Sequence, residues 1–406
     1  MPDFLPFPGI RYGATDITQV GAPPYDVIEP ELRAALLERD PHNAVRLILP
    51  DTYQAAADTL AGWRADGVLT IDAGPTFSLY EMSFTDDDGH LRHTGGVIGA
   101  LAVDSDDEHG VMPHERTLPK AKSDRLELLR ATRANLDPIW GLSLATGLST
   151  VLAEARAELP ATPDASAVDD DGCRHALWRI SDPAQIGAIS EAVGRARVVL
   201  ADGHHRYETA RNYRAERRAA GIDDPGAGWI MTLVVELAPG QLFVQAIHRL
   251  LHGIAGRDLR AALAGGFRVH AAGPNVASGV TALEVAMRES GGLGLVDGDG
   301  LALLLPTAAL EARMADLPVE LRDVDSARFD TDIVPAIPGV TLSYRNDAVA
   351  VAALVDKGDA DAAVLLRPVS VDTIRAAAAA DLRMPEKTTF FAPKPRTGMV
   401  FRSLDE

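Results

Sequence analysis

Apolar residues recur at helical spacing in some stretches and in short unbroken runs in others, and the two patterns divide the chain into elements. After the turn-forming PPYDVI, Pro30–Arg39 predicts a helix and the apolar run at residues 44–49 a strand; with a short strand before the helix this gives β–α–β order. Residues 53–66 predict a helix with Ala56, Leu60 and Trp63 on one face. Residues 76–103 predict strands that reverse at the Asp-rich turn ending in Gly89. A helix capped by Ser123 follows, then strands at 139–144 and 177–180 and a helix at 184–193. In ARVVLADGHHRYETARNYRAERRAAG a buried strand runs directly into a helix, which stops at Gly221 with Arg217 and Arg218 in its last turn. Residues 229–237 predict a strand, and 242–251 strands with a short helix. From about 253 to 367 the texture turns to Ala, Gly, Asp and Leu, with helices near Leu259–Leu263 and 282–289 and strands near 267–271 and 301–305. The expectation is a mixed α/β (α+β) chain in two parts: a main region from residues 1–253 plus 368–406, and an accessory α/β domain from 254–367.

Composition narrows the function. In 406 residues, 58 acids against 39 Lys and Arg give a net charge of −19, which opposes general binding to nucleic acid or to an anionic membrane. Cys173 is the only cysteine, which excludes an intramolecular disulfide and any multi-cysteine zinc or iron–sulfur site and suits a reducing compartment. No basic leader precedes the first element, and no run approaches the ~18 apolar residues of a membrane span, so a cytoplasmic, soluble protein is expected, with a homo-oligomer left open.

Lysine is scarce and unevenly placed. There are five, and four of them lie in two basic islands: residues 114–135, with six Lys/Arg against three acids, and 383–402, with five against one. Such islands in an acidic chain would concentrate a small phosphate-bearing ligand while the surrounding charge repels polyanions; surface pairing with nearby acids accounts for the same letters.

Four segments carry candidate chemistry. Asp202-Gly203-His204-His205-Arg206 stands at a strand-to-helix junction, where exposed N–H groups and the helix dipole favour a phosphate. Gly203 allows close backbone approach, His204, His205 and Arg206 add donors, and Asp202 can orient an imidazole, accept a substrate hydroxyl proton or help to hold magnesium. The alternatives are a capped helix bonded to its neighbouring loops and, less well supported without HExxH or a cysteine cluster, a zinc site. His114-Glu115-Arg116-Thr117, with Lys120, Lys122, Asp124 and Arg125, places a carboxylate among cations as phosphoryl transfer requires, or is a solvated loop. Lys387 and Lys394 flank Thr388, Thr389, Phe390 and Phe391, which could close over a ligand or simply pack. Pro23 and Pro24 stiffen the approach to Tyr25 and Asp26, and Asn43 could serve the same pocket; together these are candidate substrate residues, against a plain turn. A Walker loop is absent, the glycines at 291, 292 and 294 lack the context of a dinucleotide fingerprint, and Cys173 lies in an acidic loop unsuited to a nucleophile.

PPYDVI, HNAVRLILP, HERT with the following DR, DGHHRYETA and MPEKTTFFAPKPRTG, in this order, resemble the bacterial and archaeal family known as domain of unknown function 1015, over nearly the whole chain. DGHHR is also similar to the phosphate-binding signature of the ParB and sulfiredoxin-like fold, and in particular to that of archaeal free-serine kinases, which phosphorylate serine with ADP. Sulfiredoxin has a reactive cysteine where His204 stands, so its redox chemistry is not implied. The resemblance implies that Gly203, His204, His205 and Arg206 contact the phosphates of ATP or ADP and that Asp202 lies near the accepting hydroxyl. It also implies a catalytic glutamate from an early motif, for which Glu115 is the first candidate and Asp26 the second. The function expected is a magnesium-assisted phosphotransferase acting on a small hydroxyl metabolite such as serine, with Asp202, His204, His205 and Glu115 catalytic and Arg116, Lys120, Lys122, Lys387 and Lys394 steadying the nucleotide. The alternatives are a phosphatase or nucleotide hydrolase, and a non-catalytic nucleotide-binding switch.

Overall fold

The run Val198, Val199, Leu200 has the aliphatic residues of a strand covered on both faces, and all three side chains are fully buried. In the computed structural model, which describes residues 1–86, 89–103, 110–113 and 122–406 (backbone alone at 113, 122 and 123), they form the strand Val198–Asp202. It lies in a mixed sheet, parallel to Val111–Pro113 on one side and antiparallel to Ile139–Ser143 on the other. The sheet continues through Trp229–Glu236, Leu91–Ala102, Phe77–Thr85, Arg174–Ile180 and Ala165–Val168, and Phe4–Leu5 adds to Leu91–Ala102. The helices Leu148–Glu158, Pro183–Gly194 and His204–Ala219 bury Leu152, Ile189 and Tyr207 in a core shared with Leu79, Val97 and Val198.

By its contacts the described chain divides into two units. One contains this sheet and comprises residues 1–113, 122–243 and 393–406; the other is Val244–Ala392. The first also contains a small sheet ordered Leu69–Ile71, Gly9–Tyr12, Phe401–Ser403, Ala134–Asn135, which anchors the segment after residue 393. The second is built on a six-stranded antiparallel sheet, in the order Phe267–Gly273, Gly300–Pro306, Leu293–Asp297, Ala362–Leu365, His248–His252, Thr341–Arg345. Helices Ala277–Ser290 and Ala348–Lys357 cover it through Val280, Leu283 and Val351. The fold is therefore mixed α/β, and no described helix is long and apolar enough to cross a membrane.

Several expected elements form where the pattern put them. Pro30–Arg39 and Tyr53–Ala65 are helices, the latter burying Ala56, Leu60 and Trp63, and Phe77–Thr85 pairs with Leu91–Ala102 as a hairpin. Three expectations fail. Residues 44–49 are not a strand: Val45–Ile48 is a short helix, started by Asn43, whose Oδ1 accepts the Val45 N–H at 3.0 Å. The run is apolar at nearly every position, so it carries no period to distinguish the two forms. Tyr25–Val27 before the first helix is a 3-10 turn, so the β–α–β order does not occur. Residues 242–251 form the strands Phe243–Gln245 and His248–His252, without the expected short helix.

Candidate active site

A register irregularity in the strand Val198–Asp202 shapes its end. Leu200 pairs with Gly141, but the next paired residue is Asp202, opposite Trp140, so Ala201 is an extra residue in the ladder. An inserted residue bends the strand and changes where the following side chain points. Gly203 comes next with φ +87°, in the left-handed region. A Cβ there would lie 2.6 Å from Ile139 Cγ2 and 3.1 Å from Arg206 Nε, so both backbone conformation and space require glycine. His204–Ala219 starts directly after it, and the amphipathic order that buries Tyr207, Ala210 and Tyr213 keeps the first turn at the edge of the sheet. His204, His205 and Arg206 are half-buried residues of that first turn.

The side chains form a network of two carboxylates and two cations. Arg206 Nη1 donates to Asp137 Oδ2 at 2.6 Å and to Pro138 O at 2.9 Å, and Nη2 donates to Asp202 Oδ2 at 2.9 Å. Lys394 Nζ donates to Asp202 Oδ1. The Arg206, Lys394 and Asp202 side chains are 11, 13 and 20% exposed, so water screens these contacts only in part. Burial alone would raise the Asp202 pKa, but Lys394 and then Arg206 outweigh it and hold this carboxylate well below the usual range. Burial wins at Asp137 and raises it against the pull of Arg206. For Arg206 burial favours the neutral form, yet Asp137 and Asp202 together keep the guanidinium firmly charged. Its Nε is buried and has no hydrogen-bond partner among the described residues.

Two flanking segments complete the site. Pro393 and Pro395 bracket Lys394 and limit its backbone. Beyond it, Arg396 N donates to Tyr80 Oη at 3.0 Å and Arg396 Nη2 to Gly21 O at 3.1 Å, while Ala22 and Thr397 exchange backbone hydrogen bonds. These contacts join the 393–402 segment to the start of PPYD. In that turn Tyr25 is half-buried and Asp26 exposed. The Arg125 guanidinium lies over the Tyr25 ring, 4.3 Å from its centroid, and that of Arg206 lies 5.8 Å away. Burial raises the Tyr25 hydroxyl pKa despite Arg206. Arg125 is held by Ile48 O (2.8 Å) and Asp124 Oδ2 (2.7 Å). Asp26 is near enough to act electrostatically on Tyr25, Asp137 and Arg206.

The structure thus brings together Tyr25, Asp26, Asp202, Gly203, Arg206 and Lys394, with His204 and His205 on the adjoining helical turn. Asn43 is fully buried: its amide donates to Gln19 O (2.8 Å) and Gly21 O (3.1 Å), so all its bonding described here is to backbone. Lys387 is an exposed residue of the other unit, with φ +54° and its carbonyl accepting from Arg249. Glu115, Arg116 and Lys120 lie outside the described residues, as does the side chain of Lys122. Asp137 was missed: a single Asp before a proline has no periodic signal, and only sheet pairing brings it to Arg206.

Magnesium does not fit at Asp202 in this arrangement, because both carboxylate oxygens already accept from cations, whose charge opposes a third. Among the described residues, the group of three acidic, thiol or imidazole side chains with ligand atoms within 4.8 Å of one another is Asp169, Cys173 and His175, which excludes Asp202. A phosphate is the better match in charge, since the turn lies at the positive end of a sixteen-residue helix. Burial, and then Asp169, push the Cys173 thiol up to about 12, away from the lowered range of activated thiols.

Comparison with known proteins gives the same family as the motifs. Among curated proteins none matches. Distant structural similarity extends to a conserved hypothetical protein from Pyrococcus furiosus (13% identity, TM-score 0.37, covering 73% of this chain and 93% of that one). Others are a free serine kinase in complex with AMP (13%, 0.36, 70% and 84%) and a C-terminally truncated SbnI from Staphylococcus aureus (13%, 0.36, 75% and 86%). The family model described as "Protein of unknown function (DUF1015)" matches residues 4–326, and the chain belongs to that family.

Proposed function

We propose that the protein is a nucleotide-dependent phosphotransferase acting on a small hydroxyl metabolite, with serine the favoured acceptor and ADP or ATP the donor. The observation that carries this reading is the junction at Gly203, where an ionised aspartate held by a lysine directly precedes the positive end of a helix. The donor phosphates would rest on the Gly203–Arg206 turn, with its backbone N–H groups and the histidine side chains as donors. Lys394 would stabilise charge developing on the transferred group while Asp202 fixes its position. Asp26, exposed beside Tyr25, would orient the acceptor hydroxyl, and Tyr25 would form the wall against which the acceptor lies. By their places in the neighbouring motif, Glu115 would be a second carboxylate for the hydroxyl, and Arg116, Lys120 and Lys122 would steady the nucleotide.

The test is a panel of ATP, ADP, CTP and phosphoserine, each incubated with and without serine, with phosphoserine and free phosphate measured separately. Phosphate appearing on serine supports the transferase. Free phosphate released at the same rate with or without acceptor makes the protein a hydrolase, and saturable binding without turnover makes it a switch; either result overturns the proposal.

A further inference from the structure

A second cluster lies in the first unit, on the hairpin between Ala165–Val168 and Arg174–Ile180. The turn is built around Asp169: its N–H donates to Cys173 O (3.0 Å), and its Oδ1 accepts from the N–H groups of Asp171 (3.1 Å) and Cys173 (2.8 Å). Gly172, with φ +79°, closes it. This leaves Asp169 Oδ2 directed at His175 Nε2, 3.1 Å away. The Cys173 thiol and His175 ring are buried, and the Asp169 side chain is 17% exposed. One oxygen, one sulfur and one imidazole nitrogen therefore converge, every pair within 4.8 Å.

We propose that Asp169, Cys173 and His175 bind a zinc ion, with a water molecule from the Asp169 side as fourth ligand. A tetrahedral zinc with bonds of about 2.0–2.3 Å sets its ligands about 3.3–3.8 Å apart; Asp169 Oδ2 and His175 Nε2, at 3.1 Å, are already near that spacing, and the thiol lies within 4.8 Å of both. The ligand types suit this metal, which takes thiolate, imidazole and carboxylate together. A divalent ion with one thiolate and one carboxylate is itself neutral, beside the buried Arg396 guanidinium that already faces all three ligand groups. On binding, the Cys173 S–H bond breaks and its proton leaves to solvent. His175 remains neutral, its N–H now on Nδ1 and donating to Tyr80 Oη, 2.7 Å away. Tyr80 is itself positioned by Arg396 N, so the imidazole has the outer hydrogen bond that orients metal-bound histidines. The site is separate from the network around Asp202 and does not depend on the phosphotransferase reading.

The test uses the full-length protein, reduced and chelator-treated, titrated with Co2+ and then Zn2+. Cys173 is the only cysteine in the chain, so a thiolate-to-cobalt charge-transfer band can come from no other residue. The expected result is such a band with an endpoint at one equivalent, bleached by one equivalent of zinc and lost in Cys173→Ser. Asp169→Asn preserves the Oδ1 acceptor of the turn and removes the ligand charge; it should fold and bind at least tenfold more weakly. Absence of the band in the wild type, or unchanged affinity in Asp169→Asn, overturns the proposal.

Discussion

Lys394 and Asp202 form a largely buried ion pair across 192 positions of sequence. The pair sets the charge state of the turn, because Lys394 is the largest favourable influence on the Asp202 carboxylate. Removing one partner leaves the other desolvated. Lys394→Met should therefore cost about 2–4 kcal/mol in urea unfolding, while Asp202→Asn combined with Lys394→Met should cost less than the sum of the two single changes. Additive losses would show that the pair does not act as a unit.

The acid side of the stability profile tests the same carboxylate. Asp202 has a depressed pKa when folded, so its contribution is fully present above the unfolded value of about 3.9 and is lost as the pH falls below it. Asp137 has the opposite sign: its raised pKa makes it a burden at neutral pH that protonation relieves. Melting temperature measured from pH 6 to pH 3 should fall more steeply in the wild type than in Asp202→Asn. Parallel curves would mean that the Asp202 shift is absent.

Gly203→Ala should be destabilised by about 1–3 kcal/mol, from its positive φ and from the contact with Ile139 Cγ2, and should lose thermal stabilisation by ADP or ATP. Differential scanning fluorimetry with and without nucleotide reads both effects. A variant that folds and still responds to nucleotide would remove the turn from binding.

Arg206→Ala should abolish nucleotide-dependent stabilisation and also lower basal stability, since it leaves Asp137 without its cation. Asp26→Asn should bind nucleotide normally, as its side chain is exposed, yet lose at least tenfold in transfer to serine. Equal transfer rates would remove Asp26 from the mechanism, and the same assay on Glu115→Ala tests the other early carboxylate.

Tyr25→Phe should retain stability because the ring under Arg125 is unchanged, whereas Tyr25→Ala should lose about 1 kcal/mol from the cation–π contact and packing. Equal losses in the two variants would place the effect at the hydroxyl.

Much of the candidate site is legible in the sequence because its centre is contiguous. Asp202 to Arg206 follow one another at a junction that the apolar strand and the glycine mark clearly, and Lys394 draws notice in a chain with five lysines. Asp137 could not be found in this way, since its role depends on the pairing of Ile139–Ser143 beside Val198–Asp202. Nor could the orientation of Arg206: the letters suggest a guanidinium open to ligand, whereas two of its nitrogens are bound to carboxylates and a carbonyl. The missed helix at Val45–Ile48 has another cause, an apolar run without period that follows a local turn closed by Asn43 Oδ1 on Val45 N–H. Asn43 itself read as a ligand residue because a buried amide bonded to backbone and an exposed one awaiting substrate look alike in a sequence.

The order of synthesis adds a constraint. A ribosome adding about 5–20 residues per second needs about 10–40 s to travel from Asp202 to its lysine, and the whole of Val244–Ala392 emerges in between. During that interval the nascent strand-to-helix turn has its arginine but not its lysine. Any activity that requires both cations must therefore be acquired late, after the intervening unit has left the ribosome.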